Sequence, residues 1–118
     1  MEISNYIDVA DAAERFMKND GIFKKFLFRF PGEKGFQELF DLLENGTAEE
    51  AFRAAHTMKG LAANLSLKSV NAVLVPMTEV LRGGEMPEKE QVDALKLAYE
   101  EMLSVIAKIQ EENIPLFS

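Results

Sequence analysis

The chain has no cysteine and one histidine among its 118 residues. The first absence excludes disulfides and thiolate chemistry. One histidine without cysteine also cannot supply the three or four ligands of the usual zinc site. A bundle-type di-iron centre, which draws on two Glu-x-x-His motifs, is excluded as well. No glycine-rich phosphate loop occurs, neither G-x-x-x-x-G-K-S/T nor G-x-G-x-x-G, and no G-x-S-x-G elbow stands ready for acyl transfer. No apolar run approaches the roughly 18 residues of a membrane span. The first residues, MEISNYIDVADAAERF, are acidic and lack the basic and apolar regions of a signal peptide, so the expected location is the cytoplasm. Positive charge is scarce: 13 Lys and Arg stand against 20 Asp and Glu, a net charge of −7. Phosphate backbones and anionic lipid surfaces repel such a chain, so neither nucleic acid nor a membrane is expected as a partner.

What is present is helical periodicity. Hydrophobic residues make up 47% of the chain, enough for one domain over residues 1–118 with a core that folds without staples. Asn5 or Asp8 caps a first helix to about Lys18, with Ile7, Ala10, Ala13, Phe16 and Met17 at i, i+3, i+4 spacing. Asn19-Asp20-Gly21 reads as a turn. A second helix, about Ile22 to Phe30, places Ile22, Phe23, Phe26, Leu27 and Phe30 on one face until Pro31-Gly32 interrupts it. Phe36, Leu39, Phe40, Leu42 and Leu43 resume the pattern up to Asn45-Gly46. Thr47 with Glu50 forms a capping box. The helix it starts runs to about Leu65, and the next, about Leu67 to Leu81, contains Pro76, which predicts a kink or a split. Pro87 is placed for the first turn of the longest helix, about Glu88 to Glu112. No strand pattern competes. The expected fold is therefore all-α: an antiparallel four-helix bundle over about 33–112, with helices near 33–45, 47–65, 67–82 and 88–112. Helical pieces at about 6–31 cover one side or end, and a short tail follows. One bundle accounts for the apolar stripes, so a monomer is expected.

The one histidine, His56, lies in AFRAAHTMKGLAANLS. On a helical wheel of about 100° per residue, Ala51, Ala54, Ala55, Met58, Leu61, Ala62 and Leu65 gather opposite it. Glu49, Phe52, Arg53, Lys59, Gly60 and Ala63 share its side. The apolar stripe thus faces a core and the imidazole faces outward. The lone pair of a neutral imidazole makes it a nucleophile. A phosphoryl group taken up there brings about two negative charges. Lys59, one turn on, is placed to offset them. Gly60 at i+4 and Ala63 at i+7 leave open space beside the ring for a partner's active site. The abundant carboxylates read as solvated helix faces. A lone helix histidine is most often a plain surface residue; its place opposite the core stripe argues against that here.

The run A-H-T-M-K-G-L-A-A-N-L resembles the signature of histidine-containing phosphotransfer (HPt) domains, A-H-x-L-K-G-x-x-x-x-x-G. The resemblance extends to the break near Pro31, the L-L-E-N-G turn, the R-G-G-E turn and the long last helix. It implies that His56 is the phosphoacceptor, on Nε2, with Lys59 balancing phosphoryl charge and Gly60 opening the approach. Ala63 falls on the docking surface it implies. Phe52 reads either as an apolar contact for the partner or as a residue partly buried against another helix. The implied partners are response-regulator receiver domains, whose aspartate gives or takes the phosphoryl group, and a hybrid histidine kinase. No resident cofactor is implied, Mg²⁺ coming from the receiver. The implied activity is that of a phosphocarrier without kinase or phosphatase activity of its own.

Four positions depart from the family pattern. Met58 replaces Leu. Ser66 stands where Gly is usual, and reads as an N-cap for the next helix. Pro76 lies in the helix facing His56, and nearby Thr78 replaces a longer polar residue that hydrogen-bonds the imidazole in many members. Two other functions fit the same pattern. One is a substrate domain for a separate chemotaxis-type histidine kinase; the other is a non-phosphorylated helical adaptor. An adaptor has no chemical need for His56, Lys59 and Gly60 together.

Overall fold

The computed structural model describes residues 2–117, so Met1 and Ser118 of the expected 1–118 span lie outside the described residues. Among these, six α-helices and two short 3₁₀ turns account for the regular structure, with no strand. The helices are α1 (Val9–Arg15), α2 (Asp20–Leu27), α3 (Gly35–Asn45), α4 (Ala48–Asn64), α5 (Lys68–Arg82) and α6 (Lys89–Glu112). Helices α3 to α6 follow one another through short connections. α4 packs against both α3 and α5, and α5 against α6. Such short links reverse the chain direction at each step, which makes the arrangement antiparallel.

The start of α4 follows from local chemistry. Thr47 Oγ1 accepts the Glu50 N–H at 3.2 Å, and Glu50 Oε1 accepts the Thr47 N–H at 3.0 Å. Each side chain thus satisfies a donor that the first helical turn leaves free. Inward, Ala51, Ala55, Met58, Ala62 and Leu65 are buried, while Ala54 and Leu61 are half-buried. They meet Val70, Leu74, Met77 and Leu81 of α5, and the core continues into Leu95, Met102, Val105, Ile106 and Ile109 of α6. Between α3 and α6 the filling is aromatic. Phe36 stacks on Tyr99 at 4.8 Å, with Phe30 and Phe40 at 5.9 and 6.0 Å from the same ring. Met58, the residue that replaces Leu, lies over Gly35 at the start of α3, where any Cβ would run into its thioether.

The end of α4 corrects the expected role of Ser66. It is no N-cap: α5 begins after Leu67 without a side-chain cap. Ser66 instead has φ of +57°, the left-handed position just past a helix end. Its N–H donates to Ala63 O at 3.0 Å and that of Leu67 to Ala62 O at 2.9 Å. This is the paired closure of a Schellman motif, which usually takes glycine at that position. Here the serine hydroxyl gains a partner, donating to Asp11 Oδ2 of α1 at 2.7 Å. Asp8 N–H to Ser66 O (2.9 Å) and Ser69 N–H to Tyr6 O (3.2 Å) complete the attachment of the N-terminal segment to the α4–α5 corner.

That segment differs most from expectation. α1 stops at Arg15 rather than near Lys18, because Met17 and Lys18 both take left-handed φ values, 52° and 60°. The pattern of bonds past Arg15, Met17 N–H to Glu14 O and Lys18 N–H to Ala13 O, is again a Schellman closure. Asn19 is not in a turn. Its Oδ1 accepts the Ile22 N–H at 3.0 Å, so it caps α2, and Asp20 and Gly21 lie inside that helix. α2 is also shorter than expected, and Phe30–Gly32 forms a separate 3₁₀ turn. Phe23, Leu27 and Phe30 are buried, but Ile22 and Phe26 are exposed, since the short helix turns only one narrow face inward. The tail closes over α2: Leu116 N–H donates to Asp20 Oδ1 at 3.0 Å, and Phe117 packs on Phe23 at 5.4 Å.

One of the two outcomes expected at Pro76, a split helix, does not occur, and Pro87 acts differently from expectation. Pro76 neither splits nor ends α5. Its missing N–H removes the helix bond to the Ala72 carbonyl, and both residues are exposed, so that carbonyl is accessible to solvent. Pro87 precedes α6 instead of entering its first turn. Glu88 is the N-cap, its N–H donating to Gln91 Oε1 at 3.2 Å.

Candidate functional site

His56 stands in the middle of α4, exposed, opposite the buried stripe. Along its face Gly60 is exposed, while Phe52, Lys59 and Ala63 are half-buried. The five residues singled out in the sequence therefore share one helix face, and that face is open to solvent.

Gly60 is informative because nothing structural requires it. A Cβ built there meets no atom within 4 Å, and its φ is not left-handed. Glycine in a helix interior costs about 1 kcal/mol relative to alanine. The chain thus carries a local loss of stability one turn after the imidazole, on the same exposed face, where the space beside the helix is open. Lys59 forms no ion pair among the described residues, although six other cations do. Its charge remains available to an anion arriving at the histidine one turn before it.

Phe52 is neither free nor buried. Its ring lies 5.8 Å from the imidazole centroid at 25°, an offset stack. The Arg82 guanidinium, from the end of α5, sits 4.9 Å above the same phenyl ring. Glu79 Oε2 accepts from Arg82 Nε at 3.0 Å and keeps the guanidinium there. Of the two sequence readings of Phe52, the structure bears on the second: the ring is half-buried beside Arg82 of α5, and it borders the exposed histidine. Thr78 is turned away from the site. It is fully buried, and its hydroxyl donates to Leu74 O at 2.7 Å, within α5 itself. Among the described residues, no hydrogen bond holds either imidazole nitrogen.

Two residues of α5 were missed by sequence reasoning. Arg82 was read only as part of a helix end. Asn71, in the first turns of α5, donates from Nδ2 to Lys59 O at 3.3 Å and ties α5 to α4 beside the site. A polar amide among the apolar positions Val70, Val73 and Leu74 was the available signal. Among the described residues, no group of three or more Asp, Glu or His side chains is placed to hold a metal ion.

The arrangement is that of a single exposed imidazole on a packed helix, with a lysine one turn along that forms no ion pair among the described residues, and open space at Gly60. A family model described as Hpt domain matches residues 32–105, which covers α3, α4, α5 and most of α6. No curated protein and no solved structure matches the chain.

Proposed function

The chain belongs to the Hpt domain family, and on that premise we propose that His56 is its phosphoacceptor in a phosphorelay with response-regulator receiver domains. Membership implies histidine phosphotransfer in two-component signalling, by phosphocarriers rather than enzymes. The observation that supports the finer reading is the pairing of an exposed His56 with an unfilled Gly60, a glycine that weakens its helix and serves no packing.

In the proposed step the lone pair of His56 Nε2 attacks the phosphorus of an aspartyl phosphate on the receiver. The bond from phosphorus to the carboxylate oxygen breaks, and the carboxylate departs with the electron pair. The imidazole proton stays on Nδ1, so no proton moves. The reverse step loads a second receiver. Lys59 offsets the charge that the phosphoryl group adds to the helix face. Gly60 and Ala63 let the receiver's pocket reach the ring, and the surface around them docks it. Mg²⁺ held by the receiver clamps the phosphoryl oxygens during in-line transfer. A hybrid histidine kinase as the primary source of phosphoryl groups, a monomeric carrier without kinase or phosphatase activity, and a cytoplasmic location belong to the same proposal.

The test is incubation with a phosphorylated receiver domain, following acid-labile label. Label is expected on the wild type and not on His56→Gln. Transfer to neither protein from every cognate receiver, or equal transfer to both, refutes the reading.

A further inference from the structure

We propose that Arg82 is a positioning residue for the His56 imidazole, acting through the Phe52 ring that both of them contact. This rests on the reading of His56 as the nucleophile. An exposed side chain on a helix samples several rotamers, and only some aim a given ring nitrogen along the line of attack. Something must narrow that choice. Thr78 of α5 bonds to its own helix and not to the ring. No other hydrogen bond reaches the ring among the described residues. The contact that remains is the offset stack with Phe52, 5.8 Å between centroids.

Phe52 can serve as a fixed surface only if it is fixed itself. It lies four residues before His56, one turn back, on the side toward which helix side chains lean. Arg82 meets its ring at 4.9 Å and is held by Glu79 at 3.0 Å. Glu49, Leu81 and Gly84 border the same shallow hollow. The orientation of the imidazole on α4 thus depends on a cation at the far end of α5. With the ring backed on the Phe52 side, the approach left open is the Gly60 side. The two sides of the imidazole therefore have separate functions: one is a support and the other is the entrance.

The experiment uses the whole chain, in which His56 supplies the only imidazole signals. Two readouts are taken on wild type, Arg82→Ala, Arg82→Lys and Phe52→Leu. The first is the NMR position of the imidazole carbon-bound protons, which the Phe52 ring current displaces. The second is the rate of phosphorylation by phosphoramidate, a small donor that needs no docking. Nε2 attacks its phosphorus, the P–N bond breaks, and ammonia leaves with the electron pair. Arg82→Ala and Phe52→Leu are expected to move the imidazole signals toward those of a free histidine. Loss of one exposed cation–π contact corresponds to a two- to fivefold slower reaction, by about 0.5–1 kcal/mol. Arg82→Lys is expected to recover most of both effects.

Unchanged imidazole signals in folded Arg82→Ala overturn the proposal. So does a rate that falls with a phosphorylated receiver but not with phosphoramidate, which makes Arg82 a docking contact only. An equal fall in melting temperature for the Ala and Lys variants, without rescue of the signals by Lys, makes it structural and also overturns the proposal. A wild type that phosphoramidate labels but no receiver does refutes the relay reading alone.

Discussion

Replacing Gly60 by alanine should make the protein more stable and a worse phosphoryl acceptor. The stability side follows from two observations: Gly60 is inside α4, and a Cβ there meets nothing within 4 Å. The change therefore adds no clash and recovers the helix propensity that glycine forfeits, about 0.8–1.0 kcal/mol. Unfolding entropy of about 2.1 cal/mol/K per residue gives roughly 0.25 kcal/mol/K for a chain of this length. The melting temperature should accordingly rise by about 4 °C. The functional side follows from helix geometry. A side chain at one position covers the turn before its own Cα, so a methyl at 60 projects over the turn that carries His56. A reacting phosphorus must come within about 3–3.5 Å of the nitrogen, and a displacement of about 1 Å costs up to a hundredfold in rate. Transfer from a phosphorylated receiver should fall by at least about tenfold, and further for Gly60→Leu. Calorimetric melts and single-turnover transfer on the same samples test both arms. A lower melting temperature for Gly60→Ala would refute the claim that the space is open. A higher one with unchanged transfer would refute the claim that the glycine serves approach.

Lys59→Ala should slow transfer yet leave stability within about 0.5 kcal/mol, since no ion pair is lost; a urea titration beside the transfer assay separates the two. Met17→Gly should stabilise the fold by about 1 kcal/mol, because Met17 is left-handed and 88% exposed and so loses strain without losing packing. Ser66→Gly relieves the same kind of strain but removes the hydroxyl bound to Asp11, so its gain in thermal melts should be the smaller of the two. Burial pushes the Asp20 carboxyl up, but hydrogen bonds from Lys24 and the Leu116 and Phe117 backbones, with the Lys24 charge, hold it net below its ordinary value of 3.8. Its stabilisation is thus present above that value and lost as pH falls through the lower folded one. Asp20→Asn should cost about 1 kcal/mol at pH 7 and progressively less toward pH 3, read from urea melts across that range; a cost that does not shrink in acid would refute the assignment.

The bundle was legible where local chemistry and periodicity agree. The Thr47–Glu50 box and the Asn45-Gly46 stop place the start of α4 and the end of α3 within a residue or two of the expected bounds. The wheel around His56 separates buried from exposed positions because a 17-residue amphipathic helix repeats its signal over several turns. Short elements carry no such repetition. α1 and α2 have seven and eight residues, so Ile22 and Phe26 could be counted as buried when neither is. The left-handed residues Met17, Lys18 and Ser66 were hidden for a different reason. Each is a non-glycine in a place that favours glycine, and tertiary bonds such as Ser66 to Asp11, 55 positions apart, are absent from local pattern. Arg82 escaped in the same way: its distance to Phe52 is set by how α5 packs on α4, thirty positions later in the chain. The face of the site could be read from α4 alone, but its support from α5 could not.

The position of the one imidazole has a kinetic consequence. It projects from the middle of a single face, beside Phe52 on one side and open on the other, so in the proposed relay two receivers cannot occupy it together. Donor and acceptor must then take turns, and steady-state exchange between two receivers should follow a ping-pong rate law, with parallel lines in double-reciprocal plots. With His56 as the phosphoacceptor, a molecule would hold one phosphoryl group or none. Competing regulators would divide the loaded pool according to their concentrations and rates, so a surplus of one drains the supply to the others without ever contacting them.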